Sequence, residues 1–292
     1  MEGLETDFQL VLVEDCGGDL SWNIIEELAN NDGRVQGIQL ARNYGQHNAL
    51  LCGINAAQGE IIITLDDDLQ NPPEEIPKLL DKLDEGYDVV YGTPETEAHG
   101  FLRDQASRLT KIALQNTIGA ETAGKVSAFR AFRRILKGTF ANYSSPAVNI
   151  DVLLTWGTTR FASTAVRQDK RTYGASSYTL RKLINHAFNM MTGFSTLPLQ
   201  LASIAGFAFG MVGFFLLLYV LGRYFIEGRS VPGFAFLASM IAIFSGVQLF
   251  CLGIFGEYLA RMHFGAMGRP PYIVSHDTSN GLPLTTNEKS NI

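Results

Sequence analysis

Along the first 95 residues, apolar runs of strand length alternate with stretches whose apolar positions recur at helical spacing. Phe8–Val13 reads as a strand, and Trp22–Ala29 as a helix, because Trp22, Ile25, Leu28 and Ala29 fall at i, i+3, i+6 and i+7. Val35–Leu40, Ile61–Leu65 and Tyr87–Tyr91 repeat the strand pattern, and helices are predicted between them over His47–Ala57 and Ile76–Leu83. Strands separated by single helices imply right-handed crossovers and a mostly parallel sheet, an α/β fold with ligands gathered at the strands' C-terminal ends.

After Thr93 the alternation loosens. Leu102, Ala106, Leu109 and Ala113 fall on one helix face, which ordinary core packing explains as well as any surface role. Tyr178–Thr192 carries a second apolar stripe beside Arg181 and Lys182 and runs into a strongly apolar region, as an interfacial helix does. Leu201–Gly222 has no charged residue and, at about 1.5 Å per residue, reaches about 33 Å, enough for a bilayer core. Phe234–Gly256 is a second such stretch, in which Gln248 is the one strongly polar side chain. A pair of buried core helices is the competing reading; length and absence of charge favour a membrane hairpin.

The expected organisation is therefore a domain over residues 1–177, an interfacial helix over 178–196, and a hairpin over 197–262 with spans at about 201–222 and 234–256. A tail over 263–292 follows, largely disordered after 274. Arg181, Lys182, Arg261 and Arg269 flank the hairpin, against Arg223, Arg229 and Glu227 in its loop, which leans toward a cytoplasmic main domain. Met1 is followed by no basic and apolar leader, an expectation pointing the same way. The net charge of −6 gives a nucleic-acid partner no support. Cys16, Cys52 and Cys251 follow no metal-ligand spacing, so a reducing compartment is the default.

The chemistry concentrates where strands end. Ile61–Thr64 runs into Asp66, Asp67 and Asp68 and then Asn71-Pro72-Pro73, which stops any regular element. Alternation along a strand places Asp66 and Asp68 on one face and Asp67 on the other. Two carboxylates held together repel unless a cation sits between them, and a hard ion such as Mg²⁺ or Mn²⁺ usually completes its shell with substrate phosphates. An acidic surface turn is the plainer alternative. Glu14 and Asp15 precede Gly17-Gly18 at the end of the first strand, a place suited to ribose hydroxyls or a base edge, though Asp-Gly turns are common. Arg42 opens a segment, Arg42–Asn48, that leads into a helix and suits phosphate, with a satisfied helix cap as the competing reading. Lys170 and Arg171 lie in a basic, Gly- and Ser-containing loop before the interfacial helix, suited to a phosphate or to plain lipid contact.

These segments resemble the membrane-anchored family-2 glycosyltransferases that load a sugar onto a polyprenyl phosphate. That group includes the bactoprenol glucosyltransferases, the undecaprenyl-phosphate aminoarabinose transferases and the dolichol-phosphate mannose synthases. The match covers roughly residues 8–274 and rests on RNYGQHNA (42–49), TLDDDLQNPPEEIP (64–77), EGYDVVYG (85–92), AFRAFRR (128–134), YGASSY (173–178) and GEYLARM (256–262). The resemblance implies a GT-A-like fold followed by a two-helix transmembrane hairpin. It implies that Asp66 and Asp68 bind the metal with Gln70 completing the shell, and that Asp15 contacts the nucleotide. It further implies that Arg130, Lys170 and Arg171 face phosphates, and that Asp151 lies near the acceptor. Its implied partners are a nucleotide-sugar donor, polyprenyl phosphate and the lipid bilayer of a bacterial inner membrane. Gly206 and Gly210 fit either packing within the hairpin or a homo-oligomer through it.

One departure stands out. Family members begin with an apolar strand ending in a Tyr-Asn-Glu-like motif, and the first strand predicted here matches their second. The resemblance then implies a sheet short of a central strand, which leaves an inactive membrane scaffold or partner as the alternative to an enzyme. A processive polysaccharide synthase fits less well, because neither Trp22 nor Trp156 has a Gln-x-x-Arg-Trp context.

Overall fold

A computed structural model gives the fold; it describes residues 7–94, 126–140, 143, 148–169, 197–227 and 233–279. The chain divides into two units, residues 1–183 with 267–292, and residues 184–266. In the first unit the predicted alternation is present: β1 (Leu10–Glu14), α1 (Ser21–Asn31), β2 (Val35–Leu40), α2 (Gln46–Ala56), β3 (Ile61–Thr64), α3 (Ile76–Asp84) and β4 (Val89–Pro94). Beyond it come β5 (Arg130–Arg133), a 3₁₀ stretch (Arg134–Thr139), α4 (Ile150–Gly157) and β6 (Phe161–Val166). The predicted helix through Leu102–Ala113, the interfacial helix and the Lys170–Arg171 loop lie outside the described residues.

The strands form two sheets, ordered β1-β2-β7 and β3-β5-β4-β6, where β7 is Val274–Asp277. Among the described residues only β1–β2 and β4–β6 run parallel; β5 is antiparallel to β3 and β4, and β7 is antiparallel to β2. The expectation of a mostly parallel sheet is corrected accordingly. β5, Arg-Ala-Phe-Arg, has no continuous apolar run to announce a strand, and its place between β3 and β4 is set by long-range pairing. Among the described residues, β1 and β3 each pair on one side only.

Register decides what each face of the second sheet carries. Ile63, Ala131, Val90 and Ala162 align across β3, β5, β4 and β6 and pack with Ile76, Leu79 and Leu83 of α3. Shifted by one residue, Thr64, Arg130 and Tyr91 align on the opposite face. In the first sheet α1 lies close over β2 because Gly37 has no side chain; a Cβ there would stand 2.5 Å from Ile25 Cγ2.

The C-terminal tail is a second correction. Over residues 274–279 it is structured: β7 pairs with β2, Gln36 Nε2 donates to Asp277 Oδ1 at 3.0 Å, and just before them Asn55 Nδ2 donates to the Tyr272 hydroxyl at 3.0 Å. Residues 280–292 lie outside the described residues. A Ser-, His- and Asp-rich stretch reads as disordered by composition, yet a free strand edge offers it backbone partners.

The second unit is a helical pair, α5 (Leu197–Glu227) and α6 (Phe234–Ala266). Phe209 meets Phe244 edge-on at 5.9 Å, and the Cys251 thiol lies 3.6 Å from the Ala202 carbonyl, so the helices pack antiparallel. Pro198–Arg223 and Ile243–Ala266 have mean hydropathies of 2.3 and 1.5 and, Ala202 apart, no described residue in them is buried, unlike the core helices of a soluble protein. Phe207 and Phe225, for example, stand 73% and 81% exposed. α6 runs ten residues past Gly256. Arg261 pairs with Glu257 one turn back at 2.8 Å, and Gly268 at φ +60° with Pro270 and Pro271 marks the stop. A Cβ on Gly213 would stand 3.4 Å from the Phe244 ring, whereas among the described residues nothing lies within 4 Å of where a Cβ on Gly206 or Gly210 would be.

Candidate active site

Asp66 and Asp68 follow β3 directly, where the hydrogen-bonded ladder ends and side chains are released from the core. Asp66 Oδ1 accepts from Gln46 Nε2 at 2.7 Å, so the first turn of α2 reaches across to it. Burial pushes the Asp66 carboxyl up, the Asp68 charge pushes it further, and Arg130 and Gln46 pull against that shift. Leu69 stands at φ +58°, a left-handed conformation uncommon for a side chain of this size, and turns the chain so that Gln70 N donates to Asp68 Oδ1 at 3.1 Å. Gln70 is tied again through its carbonyl, which accepts from Asp169 N at 2.8 Å.

The donor set fits a hard divalent ion. Among the described residues no cluster of three or more His, Cys, Asp or Glu side chains forms a cage. Two carboxylates at a strand end, one of them resisting ionisation, match an ion that draws its other ligands from water and a phosphate-bearing substrate.

The neighbouring loops are fastened to this edge. Both oxygens of Asp15 are engaged by backbone donors, Tyr44 N and Gly45 N, each at 2.7 Å. Asp15 thereby ties the end of β1 to the start of α2, where Gly45 adopts φ +92°. Glu14 is buried; its Oε1 accepts from Gly17 N, and Oε2 has no hydrogen-bond partner among the described residues. Arg42 is exposed, with its guanidinium 4.4 Å from the centre of the Tyr44 ring.

Arg130 and Asp151 occupy positions the sequence reading did not foresee. Arg130 is only 2% exposed, pointing inward from β5. Its Nη1 bonds Asp151 Oδ1, and its Nε donates to Thr64 Oγ1 at 3.1 Å. Asp151 sits in the first turn of α4, whose N-cap Asn149 accepts from Val152 N at 3.0 Å. Tyr91 also donates to Asp151 Oδ1, at 3.1 Å. The structure thus gives Arg130 a buried carboxylate partner in place of the expected phosphate, and it brings Asp66, Asp68, Arg130 and Asp151 to one edge of the sheet. Lys170 and Arg171 lie outside the described residues.

Gln46, Thr64, Tyr91 and Asn149 were missed as site residues. The signal available for Tyr91 and Thr64 was a single polar group inside an apolar strand; for Asn149 it was an N-cap residue just before an apolar run.

Carboxylates just past the C-terminal end of β3, two of them suited to a divalent ion, are the arrangement expected of a GT-A-like glycosyltransferase. The model of "Glycosyl transferase family 2" matches residues 4–137. The undecaprenyl-phosphate 4-deoxy-4-formamido-L-arabinose transferase of Enterobacter sp. (strain 638) is 33% identical over 98% of this chain and 89% of its own length. The protein of the same name from Proteus mirabilis (strain HI4320) is 35% identical over 93% and 84%. Among solved structures, glucosyl-3-phosphoglycerate synthase from Mycobacterium tuberculosis is 18% identical with a TM-score of 0.45, covering 64% of this chain and 69% of that one. The chain belongs to glycosyltransferase family 2 and is an enzyme of that family.

Proposed function

We propose that the protein transfers a sugar from a nucleotide diphosphate donor, with UDP as the nucleotide, to a polyprenyl phosphate at a membrane surface. The observation that carries this reading is the gathering of Asp66, Asp68 and Asp151 at one sheet edge in a chain that also has two bilayer-length apolar helices. The relatives are named for undecaprenyl phosphate, which supports the acceptor class.

In the proposed reaction the bond between C1 of the sugar and the diphosphate breaks, and a bond from C1 to a lipid phosphate oxygen forms on the opposite face, with inversion. Mg²⁺ or Mn²⁺ held by Asp66 and Asp68, with Gln70 beside them, would stabilise the charge growing on the departing diphosphate. Gln46 and the Leu69 turn hold the two carboxylates in place. Arg42, exposed between β2 and α2, is assigned to meet phosphate, and Lys170 and Arg171 are assigned the same part. A phosphate oxygen is already ionised near neutral pH, so Asp151 orients a substrate instead of removing a proton. The hairpin keeps the site at the surface where the lipid acceptor is confined, lowering the entropic cost of encounter.

The test is transfer to undecaprenyl phosphate by the full chain in lipid with Mn²⁺, using UDP-glucose and UDP-4-deoxy-4-formamido-L-arabinose as donors. Asp68→Ala is expected to abolish transfer while membrane insertion is retained. Full activity in that variant would overturn the metal assignment, and no transfer from either donor by the wild type would overturn the reading.

A further inference from the structure

Tyr91 is fully buried at the centre of the β3-β5-β4-β6 sheet, in register with Arg130 on one side and Ser163 on the other. A phenol in such a place needs an acceptor, and the one it finds is a carboxylate. Its hydroxyl and the Arg130 Nη1 converge on the same atom, Asp151 Oδ1. Arg130 is itself fixed, because its Nε donates to Thr64 Oγ1 and that hydroxyl donates onward to the Ala128 carbonyl at 2.7 Å. No described residue donates to Asp151 Oδ2, and the side chain keeps 10% of its surface exposed. Two donors on one oxygen fix the plane of a carboxylate and leave its other oxygen in a set direction.

We infer that Tyr91, acting with Arg130, is a positioning residue that holds Asp151 Oδ1 inward and presents Oδ2 to a hydroxyl of the donor sugar. A sugar hydroxyl suits this acceptor, whereas the anionic acceptor phosphate is repelled by it. Burial and the Asp151 charge push the Tyr91 phenol far up, so it remains a donor across the working range. Among the described residues it is Arg130 that balances the charge of Asp151; the tyrosine adds direction. This role rests on the sugar-transfer reading given above.

Tyr91→Phe removes the hydroxyl and keeps the ring, which stacks at 6.4 Å on Phe161. With UDP-sugar, undecaprenyl phosphate and Mn²⁺, the variant is expected to lose about tenfold in kcat, with KM for the donor and affinity for Mn²⁺ unchanged. In an Asp151→Asn background the same change is expected to cost nothing more, because the carboxylate it positions is gone. A wild-type kcat in Tyr91→Phe, or an equal loss in both backgrounds, overturns the role. Should Tyr91→Phe fail to fold, Thr64→Val reaches the same carboxylate through Arg130; a fall in kcat supports the role and an unchanged kcat overturns it. Absence of transfer by the wild type overturns the sugar-transfer reading and this role with it; transfer by the wild type with an unaffected variant overturns this role alone.

Discussion

Burial and the neighbouring Asp68 make Asp66 hold its proton more tightly in the folded chain than in the unfolded one. Its contribution to folding is complete at low pH and is lost as pH rises through the raised value, so at neutral pH the ionised pair works against the fold. A divalent ion reverses that penalty but must compete with the proton. Thermal stabilisation by Mn²⁺ is therefore expected to grow as pH rises through the ionisation of Asp66, and a pH-independent effect in melting experiments would contradict the assignment. Leu69 stores strain in the same loop at φ +58° while its side chain is 65% exposed. Leu69→Gly removes about 1 kcal/mol of left-handed strain and loses part of that to chain entropy. A small rise in the denaturation midpoint with weaker Mn²⁺ binding is the expected pair of results, since the freed loop no longer holds Asp68 against Gln70 N. The acidic triplet was legible as a candidate cation site because three carboxylates directly follow an apolar strand, although the structure places them beyond the strand, with Asp67 and Asp68 in a turn. The left-handed residue after them left no sign in the composition.

At the scale of elements, α4 is short, and its first turn carries Asp151. Asn149 caps it through Val152 N, so Asn149→Ala is expected to cost about 1 kcal/mol in urea denaturation. It should also lower kcat, because fraying moves the carboxylate. Gly37 answers a different demand, the approach of α1 to β2. Gly37→Val drives side-chain atoms into Ile25 and is expected to destabilise by about 1–3 kcal/mol, with transfer chemistry per folded molecule unchanged. The seven elements from β1 to β4 were readable because each has its own apolar period. β5 was not, because its stability comes from β3 and β4 on either side and not from its own four residues.

At the scale of the whole molecule, the chain leaves the first folded unit for the α5–α6 hairpin and returns to it as β7. Both flanks of the hairpin therefore belong to one folded unit, which requires an even number of membrane crossings. In sealed vesicles, protease is expected to cut on both flanks or on neither, and protection of one flank alone would contradict the hairpin. Truncation after Met267 removes β7 and bares the β2 edge, including Gln36 and Gly37, which now bond Asp277 and Thr278. The truncated chain is expected to melt lower and to aggregate.

The sequence by itself determined the α/β alternation, the acidic run after β3 and the two apolar helices, because these depend on local period and length, and its motifs carried the resemblance to the family. Tertiary structure alone decided that Arg130 faces Asp151, that Tyr91 and Thr64 join them, and that a polar tail completes a sheet. Those outcomes depend on register. Moving β5 by one residue would carry Arg130 to the apolar face against α3, and only the pairing of distant strands fixes that choice.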